Sequence, residues 1–159
     1  MHRDAIEKLL FARQEITDYD LFDEDGEWRL LRFCAGEGVN VEAEDVERIV
    51  GMHKLFEERL VTLFRKKLVT DRSYINHFVH YCIGMPYIPD LDINTDFNIT
   101  VEYNNIKKEK MSNPGALPVA HTCTQELKIP LLAYDADIDV FEQKMDMALK
   151  NAEDSFNMS

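Results

Sequence analysis

This sequence has few basic residues, few cysteines and no long apolar run, and two of these shortages exclude a class of partner. Its 18 lysines and arginines are outnumbered by 30 aspartates and glutamates, which gives a formal net charge of −12. Because binding a phosphate backbone requires a basic surface, nucleic acid is not expected as a partner. No apolar run approaches the roughly 20 residues that a membrane-spanning helix needs, so a membrane is not expected either.

The shortage of cysteine argues against a disulfide framework. The three cysteines are Cys34, Cys82 and Cys123, and the first ten residues, "MHRDAIEKLL", lack the apolar segment of a secretory signal. An odd count in this context predicts free thiols in a reducing compartment, which favours the cytoplasm, with the nucleus as the alternative. Cys34 and Cys82 have apolar neighbours, so both are interpreted as small core residues.

A metal site is not predicted. His77, His80 and Cys82 are close in sequence, but on one helix the two histidines share a face while the cysteine points to the buried side. Zinc needs four ligands from well-placed elements, and no second cluster is present. We therefore interpret these histidines as structural and expect no metal and no cofactor.

The apolar spacing predicts a mostly helical first half. Helices are expected over residues 4–16, around 28–34, over 43–67 and over 70–84, the last with Thr70 or Asp71 as its N-cap and Gly84 as its end. There is no internal repeat and no low-complexity segment. With 45% hydrophobic and 30% charged residues, the composition is that of an ordinary globular domain.

The second half contains the strand signals. Residues 97–103 alternate apolar and polar, which predicts a half-buried strand, and "ELKI" at 126–129 is a second candidate. Asp139 and Glu142 have the spacing of a capping box for a last helix. The fold class is therefore α+β, with a small β-sheet packed against helices.

Cys123 differs from the other two cysteines because it lies between a turn signal and a strand rather than on a periodic apolar face. His121 and Thr122 directly before it are polar groups that can hydrogen-bond. A histidine two residues away does not necessarily face the thiol, so it is not established as a general base. From these residues alone, a structural thiol and a nucleophile both stay open.

Three segments together resemble the catalytic lobe of HECT-type ubiquitin ligases. They are "LPVAHTC" at 117–123, the helix "FEQKMDMALKNAE" at 141–153 and the terminal "SFNMS", in which Phe156 is fourth from the end. Upstream, "TDRSYINHFVHYCIGMPYIP" at 70–89 is similar to the helix and turn that precede the family's catalytic loop. "LLRFCAGEGVNVEAEDVERIV" at 30–50 resembles the end of the family's larger lobe, its hinge and the start of the catalytic lobe.

The resemblance implies a division of the chain and a chemistry. Residues 1–36 would be a helical segment from the end of the N-terminal lobe, residues 37–40 a hinge in which Glu37 is flanked by Gly36 and Gly38, and residues 41–159 the catalytic domain. Cys123 would accept ubiquitin as a thioester from a ubiquitin-conjugating enzyme and pass it to a lysine of an unknown protein substrate. The roles implied for other residues are loop shaping and charge stabilisation by His121 and Thr122, loop support by Leu117 and Pro118, and fixing of the C-terminal tail by Phe156.

Alternatives and departures accompany this interpretation. Thr124 stands where the family usually has a bulky apolar residue, and "LLAYDAD" at 131–137 lengthens the connection to the last helix. We expect a fragment or truncated form whose activity on its own is open, and Asp135 and Glu126 are both candidates for the base. The alternatives are a non-catalytic ubiquitin-binding or scaffold module, and a cysteine hydrolase using one of the histidines His53, His77 and His80.

Overall fold

The computed structural model of the protein describes residues 15–36, 43–85 and 88–158, without the side chains of 43–45 and 154–158. Within these residues, four α-helices and one four-stranded sheet follow each other along the chain. In chain order they are α1 Asp18–Leu21, β1 Leu31–Cys34, α2 Ala43–Thr70, α3 Arg72–Ile83, β2 Ile99–Tyr103, a short 3-10 turn Lys108–Lys110, β3 Val119–His121, β4 Glu126–Ile129 and α4 Ile138–Met158.

The sheet is mixed, with strand order β1-β2-β4-β3. β1, β2 and β4 are parallel neighbours, with Leu31 opposite Ile99 and Val101 opposite Leu127. β3 and β4 are antiparallel and form a hairpin at one edge. The predicted alternation of residues 97–103 is confirmed, because Ile99, Val101 and Tyr103 are buried and the residues between them are not.

The helices close the core through aromatic contacts. Phe56 of α2 meets both Phe141 of α4 and Tyr103 of β2 edge to face, with ring centroids 5.3 Å and 6.0 Å apart. Phe64 of α2 and Phe78 of α3 meet in the same way at 4.9 Å. Edge-to-face pairs of this kind add about 0.5–1.5 kcal/mol beyond the apolar area that they bury. The α+β class with a small sheet packed against helices is therefore confirmed.

Most of the helix predictions within the described residues are confirmed, with one correction at a helix start. α3 begins after Asp71 and ends at Gly84, which adopts a left-handed conformation with φ of 70°. The last helix is capped two residues earlier than the Asp139 pattern indicated, because the Asp137 carboxylate accepts a hydrogen bond from the Asp139 N–H at 2.8 Å. The helix predicted over residues 4–16 lies largely outside the described residues.

The helix predicted around residues 28–34 is wrong, since Leu31–Cys34 is a strand. Spacing alone is ambiguous in such a short apolar run, and parallel pairing with β2 determines the outcome. Cys34 was expected in the core, but it lies at the end of this strand and is exposed. The family resemblance implies that β1 belongs to a separate helical segment, whereas the structure pairs it with β2 in one sheet. The division at residues 37–40 stays a prediction, because that segment lies outside the described residues.

Gly36, which follows β1, is held against the end of β2. Its φ is 78°, and a Cβ added there would stand 1.9 Å from the Tyr103 carbonyl oxygen. The next carbonyl back, that of Ala35, accepts a hydrogen bond from Asn105 Nδ2 at 2.6 Å. Only glycine combines this conformation with so close an approach. The role of Gly36 as a hinge residue stays a prediction, and Gly38 lies outside the described residues.

No helix in the described part of the chain is both long and apolar enough to cross a bilayer. Within residues 15–36, 43–85 and 88–158, no group of three or more histidine, cysteine or acidic side chains is placed to hold a metal ion.

Candidate functional site

Cys123 occupies the second position of the four-residue turn that joins β3 to β4. The turn comprises Thr122, Cys123, Thr124 and Gln125, and the first three, with His121 before them, are exposed. The sequence pattern predicts a loop at Cys123; the structure places it at the tip of a β-hairpin whose first strand was not foreseen. A hairpin tip is a more defined position than a loop because both of its strands are hydrogen-bonded into a sheet.

The turn is held by its own backbone and by β2. The Thr124 N–H donates to the His121 carbonyl at 3.2 Å, and the Thr124 hydroxyl donates to the same carbonyl at 3.3 Å. Gln125 takes a left-handed conformation with φ of 55°, and its carbonyl accepts a hydrogen bond from the Thr100 N–H at 2.9 Å. The second half of the turn is thereby anchored to the interior of the sheet.

Two tyrosine hydroxyls hold the segment that leads into the hairpin. Tyr81 of α3 donates to the Pro118 carbonyl at 2.8 Å, and Tyr134 donates to the Ala116 carbonyl. Burial raises the pKa of both hydroxyls, and for Tyr81 a hydrogen bond from the backbone of Ala120 acts in the opposite direction. Pro118 is buried, and the two hydroxyls hold the backbone on either side of Leu117.

The remaining predicted support residue, Leu117, is half-buried and packs against the main core. Its neighbour Pro118 presents its carbonyl to Tyr81, so the leucine–proline pair joins the loop to the core by one side chain and one backbone bond. The structure therefore brings Leu117, Pro118, His121, Thr122 and Cys123 into one continuous edge of the sheet.

Gly84, where α3 ends, lies against the turn. A Cβ added to Gly84 would stand 2.8 Å from Thr122 Cβ and 2.9 Å from Thr122 Cγ2. Contacts below 3.0 Å are essentially never made by real Cβ atoms. The end of the helix and the residue next to the cysteine are therefore packed too closely for any residue other than glycine at position 84.

The other two thiols differ from Cys123 in their surroundings. Cys82 is fully buried, and its burial strongly raises the pKa of the thiol. Such a thiol is inert, because the thiolate is the nucleophilic form. Cys34 is exposed but lies on β1, at the opposite edge of the sheet, with β2 between it and the hairpin.

The histidines do not form a cysteine–histidine pair in the described residues. There, Cys123 Sγ makes no hydrogen bond to any of them. His53 is buried on α2, where Nε2 is 2.9 Å from Asn105 Oδ1, and burial lowers the pKa of its imidazole. Asn105 Nδ2 donates to Ala35, so its Oδ1 must accept, and the His53 proton resides on Nε2.

Two candidate bases and the tail residue complete the predicted set. Glu126 begins β4 and is paired with His121 across the hairpin, whereas Asp135 is exposed in the connection to α4 with φ of 55°. The backbone of Phe156 is part of α4, but the side chain of Phe156 is not among the described atoms.

The sequence patterns did not reveal the two tyrosines or the contact made by Gly84. Tyr134 lies in "LLAYDAD", which the sequence marks only as a longer connection, and Tyr81 lies off the apolar stripe of its helix. A half-buried tyrosine beside a helix stripe is a weak signal for a hydroxyl with a distant partner. The partner cannot be identified without the fold, because Pro118 is 37 residues from Tyr81.

Comparison with known protein families gives one match. A family model described as HECT-domain (ubiquitin-transferase) matches residues 15–159, which is most of the chain. A search of curated proteins finds no match.

Proposed function

Because this chain belongs to the HECT-domain (ubiquitin-transferase) family, we propose that Cys123 accepts ubiquitin as a thioester from a ubiquitin-conjugating enzyme and passes it to a lysine of a protein substrate. One observation carries the proposal. Cys123 is an exposed thiol at the tip of a hairpin that is tied to the sheet and to α3. That position lets another protein's thioester reach the sulfur without disturbing the core.

The first step exchanges one thioester for another. The Cys123 sulfur, as thiolate, attacks the carbonyl carbon of ubiquitin's C-terminus, a new carbon–sulfur bond forms, and the conjugating enzyme's sulfur leaves as thiolate and takes up a proton. Because similar bonds are made and broken, the step has little driving force of its own. The contribution of the protein is to position the sulfur, and a fixed hairpin tip supplies that.

The second step forms an isopeptide bond. A neutral substrate amine attacks the thioester carbon, negative charge develops on the carbonyl oxygen, and the Cys123 thiolate leaves. His121 and Thr122 precede the sulfur along the chain, and we assign them to shaping the turn and stabilising that charge. Glu126 is part of the hairpin while Asp135 is not, which favours Glu126 as the group that accepts the amine proton.

The test uses the matched pair of exposed cysteines. Wild-type protein is incubated with ubiquitin, activating enzyme, a panel of charged conjugating enzymes and ATP, and separated without reductant. We expect an adduct that disappears on adding a thiol reductant, that is lost in Cys123→Ala and that is retained in Cys34→Ala. Cys34→Ala is the control because it also removes an exposed thiol, but on the opposite edge strand.

Each other outcome has a definite meaning. An adduct that survives Cys123→Ala and is lost in Cys34→Ala overturns the assignment of the nucleophile. Binding of ubiquitin by the wild type with no adduct under any charged enzyme favours the non-catalytic ubiquitin-binding module instead.

A further inference from the structure

We propose that Tyr81 and Gly84, near the C-terminal end of α3, are positioning residues that set where the turn carrying Cys123 stands. The inference rests on the thioester function proposed above, and it assigns to that site two residues that do not touch the reacting atoms. Tyr81 fixes the strand that enters the turn, and Gly84 fixes the first residue of the turn itself.

The contact at Gly84 leaves no space for a side chain. A Cβ at this position would approach the Cβ, Cγ2 and Oγ1 of Thr122 at 2.8, 2.9 and 3.3 Å. Thr122 is bonded to Cys123, so a displacement of Thr122 is passed directly to the sulfur. The nearest atoms include Cβ, which moves only with the backbone, so rotation of the threonine side chain cannot relieve the clash.

The contact at Tyr81 is a hydrogen bond, which we call the Tyr81 clamp, to the residue that directly precedes β3. The Tyr81 hydroxyl donates to the Pro118 carbonyl at 2.8 Å. Pro118 directly precedes Val119, the first residue of the three-residue strand β3. A strand this short has few ladder bonds, so an external clamp contributes a large share of what holds it in place.

Together the two residues couple one helix end to both ends of β3. Tyr81 and Gly84 are three residues apart, and their contacts at Pro118 and Thr122 lie directly before and directly after β3. In an enzyme that works by positioning, an error of about 1 Å in a reacting group can cost about 100-fold in rate. The helix end is thus expected to affect the rate of ubiquitin transfer more than its contribution to stability would suggest.

The first test compares two glycines with similar backbone conformations. Gly84→Asn and Gly26→Asn both place a side chain at positive φ, 70° and 79°, which asparagine tolerates better than other residues. At Gly26 the nearest atom is the far end of the Arg65 side chain at 3.2 Å, which can move away. We expect Gly84→Asn to slow formation of the Cys123 adduct at least tenfold at saturating charged conjugating enzyme, with less than a twofold change in the half-saturating concentration. Gly26→Asn should stay within twofold of wild type in both.

A double-mutant cycle separates the local clash from general damage. Thr122→Gly removes all three contacting atoms, so Gly84→Asn should slow the reaction much less in that background than in the wild type. Equal slowing in both backgrounds would overturn the assignment of Gly84, because a merely structural loss does not depend on the side chain at 122.

The second test uses two tyrosines of the same helix and also covers the case in which Gly84→Asn fails to fold. Tyr81→Phe removes the clamp, whereas Tyr74→Phe removes a buried hydroxyl that has no hydrogen-bond partner among the described residues. We expect a threefold or greater loss of the maximal rate for Tyr81→Phe and no loss for Tyr74→Phe. If wild type forms a Cys123 adduct but Gly84→Asn and Tyr81→Phe match their controls, the positioning inference fails alone. If wild type forms no adduct on Cys123, the proposed function fails and the inference falls with it.

Discussion

Replacing Gly36 by alanine is predicted to be among the most damaging single-methyl changes in this protein. The added Cβ would lie 1.9 Å from the Tyr103 carbonyl oxygen and 3.0 Å from its carbon. The end of β1 must therefore retreat from β2 by about 1 Å. Such a shift stretches the hydrogen bond from Asn105 to Ala35, now 2.6 Å, together with the ladder at this end of the sheet.

The magnitude follows from two contributions. A non-glycine residue in the left-handed region costs about 1–2 kcal/mol. Loss of one or two hydrogen bonds at the β1–β2 junction adds about 1 kcal/mol each. The free energy of unfolding should fall by about 3 kcal/mol. With a urea dependence of about 2 kcal/mol per molar, this lowers the unfolding midpoint by about 1.5 M.

The matched control is Gly51→Ala, at an exposed position inside α2 where a Cβ meets nothing within 4 Å. Alanine is favoured over glycine in a helix interior by about 0.5–1 kcal/mol, so this variant should unfold at a higher urea concentration than wild type. Urea titrations followed by circular dichroism measure both. A Gly36→Ala midpoint within 0.2 M of wild type would refute the close approach of β1 to β2 and the packing argument built on it.

Two further predictions concern cysteine reactivity and pH. Alkylation of the folded protein, measured by peptide mass spectrometry, should modify Cys34 and Cys123 but reach Cys82 only on unfolding. The Cys82 thiol is fully buried and its pKa is raised. Equal alkylation rates at all three cysteines would contradict the core packing around α3. Burial lowers the pKa of His53 from 6.5, so as pH falls below that value the unfolded chain takes up the proton first and stability is lost. The stability advantage of wild type over His53→Gln should therefore be larger at pH 7.5 than at pH 5.5, and His77→Gln, at a partly exposed position, is the control. The raised pKa of Glu57 acts in the opposite direction, but Glu57 is present in every variant and its effect cancels in the comparison. A stability advantage that grows on acidification would contradict the assignment of His53.

The regular periodic elements were predictable from the sequence. Ile75, Phe78, Val79 and Cys82 recur at helical spacing and are all buried on α3, and the alternation ending at Tyr103 corresponds to β2. Long amphipathic patterns carry enough residues to distinguish a period of 3.6 from a period of 2.

The short edge elements were not predictable in the same way. Leu31–Cys34 is only four residues long, and its strand conformation depends on pairing with β2, which is about 70 residues away in sequence. β3 has three residues, of which Val119 and His121 are exposed, so it presents no apolar face to recognise. Because these strands are stabilised by partners distant in sequence, local propensity does not decide their conformation.

In the candidate site, too, some residues could be predicted from the sequence and others could not. The thiol and its neighbours His121 and Thr122 could be named from a family resemblance over "LPVAHTC". The residues that hold them could not, since the contacts of Tyr81, Gly84 and Tyr134 span 18 to 38 residues of sequence. A motif identifies the reacting group, whereas the fold determines which residues support it.

The most direct measurement is to locate ubiquitin on the charged protein. After incubation with a charged conjugating enzyme, the adduct is digested at acidic pH without reductant and analysed by mass spectrometry. We predict ubiquitin's C-terminus on the peptide that contains Cys123, joined through sulfur. Finding it instead on Cys34, or finding no sulfur-linked ubiquitin with any conjugating enzyme, would contradict the proposed role of Cys123.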